Sequence, residues 1–219
     1  MDHKEIQDAI SRYNKRLTEF GVSEQALGWG SKGRAKLRYE ILLSQWDFNN
    51  SSVLDFGCGF GDMLAYIRSK GIEDVDYTGV DINPNFIAVA QDNYKDTATF
   101  HLKNLLEEET PEQHDFVLSS GVFNHSLSDN MGFIKKSFEQ FNKISRKGFA
   151  MNFLSSKVAF QYDYTYHANP AEILDLAYQY SNNVVLRNDY MPFEFTIFVN
   201  KSAETDAQYT VYKDFVKYV

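Results

Sequence analysis

Apolar positions along the chain follow two periods. From Lys4 to Gly21 the residues Ile6, Ile10, Tyr13, Leu17 and Phe20 recur at helical spacing and are closed by glycine, which predicts a first helix. The glycine-punctuated stretch VSEQALGWGSKG reads as a loop, and RAKLRYEILLSQW as a second helix. Short β-rich runs then alternate with helical ones. SSVLDFG predicts a strand, DMLAYIRSKG a helix, VDYTGVDI a strand, PNFIAVAQDNY a helix with proline in its first turn, and TATFHLK a strand. HDFVLSSG follows as a strand, MGFIKKSFEQFNKIS as a helix and GFAMNFLSS as a strand. This alternation argues for a mostly parallel sheet with helices on both faces and ligands at the carboxyl ends of its strands.

The end of the chain breaks the rhythm. After a helix at AEILDLAYQYS, the runs NVVLRNDY and FEFTIFVNK are separated only by Met191 and Pro192. So short a link excludes a parallel crossover and predicts an antiparallel hairpin. The expected fold is therefore α/β, Rossmann-like: seven strands, mostly parallel, with a C-terminal antiparallel hairpin. The last stretch, SAETDAQYTVYKDFVKYV, reads as a peripheral helix or tail.

Composition narrows the setting. With 219 residues and 43% hydrophobic content, one domain spanning 1–219 is expected: an N-terminal helical cap (1–48), a core (50–155), an insertion (156–170) and a C-terminal helix, hairpin and tail (171–219). A net charge of -8 and no basic run longer than two residues argue against nucleic acid as a partner. A lone cysteine, Cys58, excludes an internal disulfide or a cysteine zinc cage, and the charged opening MDHKEIQDAISRYNKRL does not resemble a signal peptide. No apolar run approaches the roughly 18 residues of a membrane span. A reduced, cytoplasmic protein, monomeric or homodimeric, is expected.

The stretch VLDFGCGFGDM carries the chemistry, with three glycines in five positions directly after a buried strand. Glycine lets backbone turn sharply and approach a ligand closely. Gly57, Gly59 and Gly61, with Asp81 ending the second strand about 20 residues further on, suit either a dinucleotide or S-adenosylmethionine (SAM). Asp55 favours SAM, because a carboxylate two positions before the first glycine would repel a pyrophosphate yet suits an ammonium. A turn without any ligand is the bland alternative.

In combination, VLDFGCGFGDMLAYI, YTGVDINPNFIAVA, HLKNLLEE and HDFVLSSGVFNH resemble the successive motifs of class I SAM-dependent methyltransferases, over roughly residues 50–155. The resemblance implies that Gly57, Gly59 and Gly61 contact the methionyl part of the cofactor and Asp55 its amino group. It further implies that Asp81 takes the ribose hydroxyls, that Ile82 packs on the adenine with Leu105 beside it, and that Ser119 and Ser120 lie next to the methyl group with Gly121. Asn104 stands where the family often has aspartate on the adenine amino group. The flanks, ALGWGSKGRAKLRYEILL and RNDYMPFEFTIFVNK, are similar to a bacterial subgroup acting on small molecules in biosynthesis, which implies that Trp29, Ser31 and Arg38 close over the cofactor.

For the acceptor, His125 follows the fourth strand, and VAFQYDYTYHANP follows the fifth with Phe160, Tyr162, Tyr164, Tyr166 and His167 alternating with polar residues. In a parallel sheet both segments reach the same crevice. His125 is the first candidate for a base or acceptor contact, His167 the alternative base, and Tyr164 with its neighbours an aromatic wall that tolerates a sulfonium. Against this stand a structural histidine and a flap that merely covers the core. His101, His114 and His125 show no metal-ligand spacing, so no metal is expected. The expected reaction is in-line methyl transfer to a small molecule, at oxygen. A nicotinamide-dependent oxidoreductase and a SAM-binding protein without catalysis remain the alternatives.

Overall fold

The computed structural model describes residues 1–29, 33–108 and 112–201. Two helices, α1 (His3–Phe20) and α2 (Arg34–Leu43), precede β1 (Ser52–Phe56), α3 (Asp62–Ser69), β2 (Asp76–Asp81), α4 (Pro84–Asn93), β3 (Thr99–Leu102) and β4 (His114–Ser119). A 3-10 turn at Val122–Asn124 leads to α5 (Asn130–Ile144), β5 (Ser145–Leu154), α6 (Pro170–Ala177), β6 (Val184–Arg187) and β7 (Glu194–Asn200). The strands form one seven-stranded sheet in the order β3-β2-β1-β4-β5-β7-β6. The first five are parallel; β7 runs antiparallel to both β5 and β6.

Both faces of the sheet are covered, so its strands read as continuous apolar runs. Val53 faces a core built with Leu42, Leu64 and Phe198, while the next residue, Leu54, faces another with Phe138, Phe149 and Ile197. Each such fully buried side chain contributes about 1.5–3 kcal/mol of transfer free energy. No helix among the described residues is long and apolar enough to cross a membrane.

Three sequence expectations shift. The hairpin exists, but its link is residues 188–193 rather than Met191 and Pro192 alone: Arg187 pairs with Thr196, and Tyr190 leaves the ladder to share a 2.8 Å hydrogen bond with the Thr196 hydroxyl. The second helix stops at Leu43, because Trp46 turns inward to stack on Phe116 at 4.8 Å and donates to Asn200 Oδ1. β5 begins directly at Ser145, with no loop after α5. The tail beyond residue 201 lies outside the described residues.

Helix α1 lies across the carboxyl ends of the strands. Asp2 and Glu5 form a reciprocal cap at its start, and Glu5 also accepts from the Ser128 N–H at 2.7 Å. Further along, Asn14 Oδ1 accepts from the side-chain amides of Asn83 and Asn85, both at 3.0 Å, which pins the helix over the end of β2.

Candidate functional site

A cavity of about 700 Å³ opens where β1, β2 and β4 end, beneath α1. Its floor is the turn after β1. The N–H groups of Gly57 and Cys58 both donate to Val80 O, at 2.8 and 3.1 Å, closing the turn onto β2. Gly57 has φ +77°, and a β-carbon there would come within 2.3 Å of Val122 Cγ2; only glycine serves both conformation and space. Gly59, at φ +55°, donates its N–H to Asp81 Oδ2 at 3.0 Å, while the other Asp81 oxygen accepts from Asn83 N–H at 2.8 Å. Two backbone donors thus fix the Asp81 carboxylate on the cavity wall, and each oxygen keeps a lone pair for a further donor. Burial pushes this carboxyl above its ordinary range, and the N–H groups of Asn83 and Gly59 pull the other way.

Asp55 is buried on the same floor and accepts from the Tyr77 hydroxyl at 2.5 Å. Burial raises its carboxyl to about 7, assisted by the charges of Asp81 and Asp62 and opposed by the Tyr77 hydrogen bond. Arg38, also buried, lines the cavity too. Its guanidinium pairs with Glu194 through Nε at 2.8 Å and through Nη2, and it stacks over Trp29 with Cζ 4.3 Å from the ring centroid. Arg38 Nη1 and Trp29 Nε1 are buried without a partner, and so is the Ser120 hydroxyl. Buried donors left unpaired cost about 1–3 kcal/mol each, so three such groups on residues lining one cavity fit a ligand that brings acceptor oxygens. A guanidinium with an unpaired N–H and a buried carboxyl on one cavity have the charges that an α-amino-acid zwitterion would need. The residues present therefore fit the methionyl end of SAM, and Asp81 fits a ribose diol.

Segments after β4 and β5 meet at the other end. His125 and Thr165 form an antiparallel bridge, Ser126 N–H donates to Tyr164 O at 3.2 Å, and Tyr166 N–H donates to Asn124 O at 3.0 Å. His125 Nε2 is 2.8 Å from the Tyr13 hydroxyl of α1, and its Nδ1 is buried without a partner. Burial, with Arg12 and Arg16 nearby, lowers His125 to about 4, so it is neutral at physiological pH. Burial raises Tyr13 to about 12. His167 lines the cavity, but Nδ1 sits 2.8 Å from Ser155 O and Nε2 3.1 Å from Thr165 Oγ1, so both its nitrogens are engaged in holding the insertion. Phe160, Tyr162 and Tyr164 line the mouth while 67%, 55% and 62% exposed, packed on one another with centroids 4.9 and 5.3 Å apart.

The cavity gathers Trp29, Arg38, Asp55, Gly57, Gly59, Asp81, Ile82, Asn104, Ser120, His125, Tyr164 and His167 of the residues expected from sequence. Four others face elsewhere, among them Tyr166, which packs against the core instead of joining the aromatic wall. Gly61 begins α3, where a β-carbon would strike Tyr94 and Phe100; Leu105 is buried in the core; and the Ser119 hydroxyl donates to Phe56 O at 3.1 Å. Ser31 lies outside the described residues. Cys58 is buried, and its sulfur fills the space a β-carbon on Gly79 would need, a packing role. No group of three possible metal ligands occurs among the described residues. Sequence reasoning missed Arg12, Tyr13, Asn83 and Glu194. The α1 periodicity put Tyr13 on the inward face, but nothing in the sequence paired its hydroxyl with a residue so far along the chain.

Residues 53–148 match the family described as methyltransferase domain. A protein of Mycobacterium tuberculosis (strain ATCC 25618 / H37Rv), Rv1506c, provisionally named as a methyltransferase, is 31% identical over 159 residues, covering 69% of this chain and 94% of its own. Among solved structures, magnesium protoporphyrin IX methyltransferase from Synechocystis PCC 6803 with bound S-adenosylhomocysteine (SAH) superposes with a TM-score of 0.63 at 13% identity, over 92% of this chain and 100% of that one. The N-methyltransferase NodS of Bradyrhizobium japonicum WM9, in complex with SAH, gives 0.62 at 13% identity over 87% and 98%.

Proposed function

This chain belongs to the class I SAM-dependent methyltransferases, and we propose that within that family it methylates a small molecule at oxygen. The cofactor, SAM, supplies an electrophilic methyl group on a sulfonium. The observation that carries the assignment of its site is the charge arrangement on the cavity: buried Asp55 for the ammonium, and the unpaired N–H groups of Arg38 and Trp29 for the carboxylate. Asp81, held by Gly59 and Asn83, takes the ribose hydroxyls, while Ile82 and Asn104 flank the adenine.

At the other end, the groups around His125 are a phenol, aromatic rings and arginines, a lining that suits an oxygen acceptor better than a cationic amine. In-line displacement asks the protein mainly to align the acceptor and exclude water, and α1 with the aromatic insertion does both by roofing the cavity. Residues 1–219 acting as one such domain in small-molecule biosynthesis is part of the same reading.

The test is a screen of small hydroxylated and carboxylated acceptors with SAM, the products analysed by mass spectrometry. O-methyl products support the reading; transfer confined to nitrogen or to macromolecules would sink it.

A further inference from the structure

The Tyr13–His125 pair carries a fixed number of hydrogens. A phenol and a neutral imidazole hold one donor hydrogen each, and the 2.8 Å bond between them uses one. Whichever tautomer forms, one hydrogen is left over: on His125 Nδ1, which has no partner, or on the Tyr13 oxygen. Both residues line the cavity, so the spare hydrogen lies at its wall, where the buried Asn124 Oδ1 is likewise without a partner.

Arg12 stands beside it. Its guanidinium lies 5.8 Å from the Tyr13 ring centroid, lines the same cavity and has no carboxylate partner among the described residues. Arg16, one turn on, is occupied by Gln25 O, and Glu5, one turn and more before, by the Ser128 N–H. In a protein of net charge -8, this corner carries an arginine without an ion-pair partner among the described residues and a polar pair with a hydrogen to spare, while the carboxylate felt by Tyr13, Asp81, is held by the Gly59 and Asn83 N–H groups. Such an arrangement receives an oxyanion. Beside it Tyr162 and Tyr164 form an exposed stacked pair, with Phe160 edge-on to Tyr162.

We infer that the acceptor is a carboxylate carried on a planar body, its charge met by Arg12, its reacting oxygen oriented by the Tyr13–His125 pair, and its body laid on the stacked Tyr162 and Tyr164 rings. This deepens the assignment of an oxygen acceptor and rests on it. The chemistry balances without a base. A carboxylate lone pair forms the new O–C bond as the C–S bond breaks, the electron pair stays on sulfur as a neutral thioether, and no proton is released. An alcohol or phenol acceptor would need a group that takes a proton near pH 7; burial with Arg12 and Arg16 holds His125 well below that range, and both nitrogens of His167 are engaged.

Calorimetry with SAH comes first; failure to bind it would defeat the methyltransferase site itself, apart from the acceptor question. The SAH-loaded protein is then titrated with matched pairs: benzoate and benzamide, cinnamate and cinnamamide, 1-naphthoate and 1-naphthamide. At least one acid should bind about tenfold or more tightly than its amide. Arg12→Ala should bring that pair within about twofold while SAH affinity stays put, and Arg12→Lys should restore part of the preference. At saturating SAM, the acid should yield a methyl ester with a kcat flat from pH 6 to 9, and Tyr13→Phe should lower kcat/KM for the acid by about tenfold while SAH affinity stays put. Absence of any acid preference, or a preference that survives Arg12→Ala, overturns the inference.

Discussion

The two ends of the cavity are built by different means. At the cofactor end, positions are set by backbone: the turn at 57–59 is hydrogen-bonded to Val80, and Asp81 is held by two N–H groups. The acceptor end is assembled from three segments distant in sequence: the stretches after β4 and β5, which backbone hydrogen bonds join, and α1, which meets them through the Tyr13 and His125 side chains, and several of its rings face solvent. Backbone-defined sites lose function abruptly, whereas side-chain-defined sites can be retuned residue by residue. The division predicts that damage at one end leaves binding at the other nearly intact.

The largest effect belongs to Gly57. Valine there meets both the positive φ and Val122, so Gly57→Val should abolish SAH binding, more than about 100-fold by calorimetry, with circular dichroism close to wild type. The milder contact of Gly59, whose β-carbon would lie 3.0 Å from the side chain of Leu27, makes Gly59 substitutions the less severe. Next comes Asp81→Ala, expected to weaken SAH about 10- to 100-fold through lost charge-assisted hydrogen bonds. Wild-type affinity in a folded variant would remove Asp81 from the site.

Asp55 gives the pH dependence. An unfolded aspartate titrates near 4, and the folded group near 7. The folded state thus holds this proton more tightly, so its contribution to stability is present below about pH 4 and is lost as pH rises through 7. An ammonium needs the opposite, ionised form. SAH affinity should therefore rise from pH 6 toward 8, by up to about tenfold per unit below 7, and Asp55→Asn should flatten that rise. A profile unchanged in Asp55→Asn would assign the titration elsewhere.

The smallest effects lie at the mouth. Tyr164→Ala should raise the acceptor KM by roughly threefold to tenfold, as expected for one partly exposed stacking face, and leave SAH affinity alone. Were it to shift SAH binding as much as acceptor binding, the two ends would not be separable.

The same division explains what the sequence reveals. Asp55, Gly57, Gly59 and Asp81 lie within two strand–turn units, where periodicity and glycine spacing fix the geometry locally. The β/α alternation likewise predicts the first five strands, and the two β-rich runs after the last helix predict the hairpin. Glu194 and Tyr13 were illegible because their partners, Arg38 and His125, are 156 and 112 residues away. Ser119 and Leu105 sit in the right motifs, but strand pleat and helix-turn direction point them away from the cavity. His167 was read as a base, yet its local hydrogen bonds to Ser155 and Thr165 engage both nitrogens.

The sheet order carries a consequence for the protein's synthesis. The last strand among the described residues, β7, sits inside the sheet, between β5 and β6, and its first residue, Glu194, is the counter-ion of Arg38. As the chain leaves the ribosome from its N-terminus, β1 to β5 can pair in turn, but β6 has no neighbour until β7 emerges, and Arg38 stays without its counter-ion. The cavity with the Arg38–Glu194 pair in place therefore waits until residue 194 has been made. Nascent chains stalled before residue 194 should lack that pair even though every glycine of the turn and Asp81 are already present.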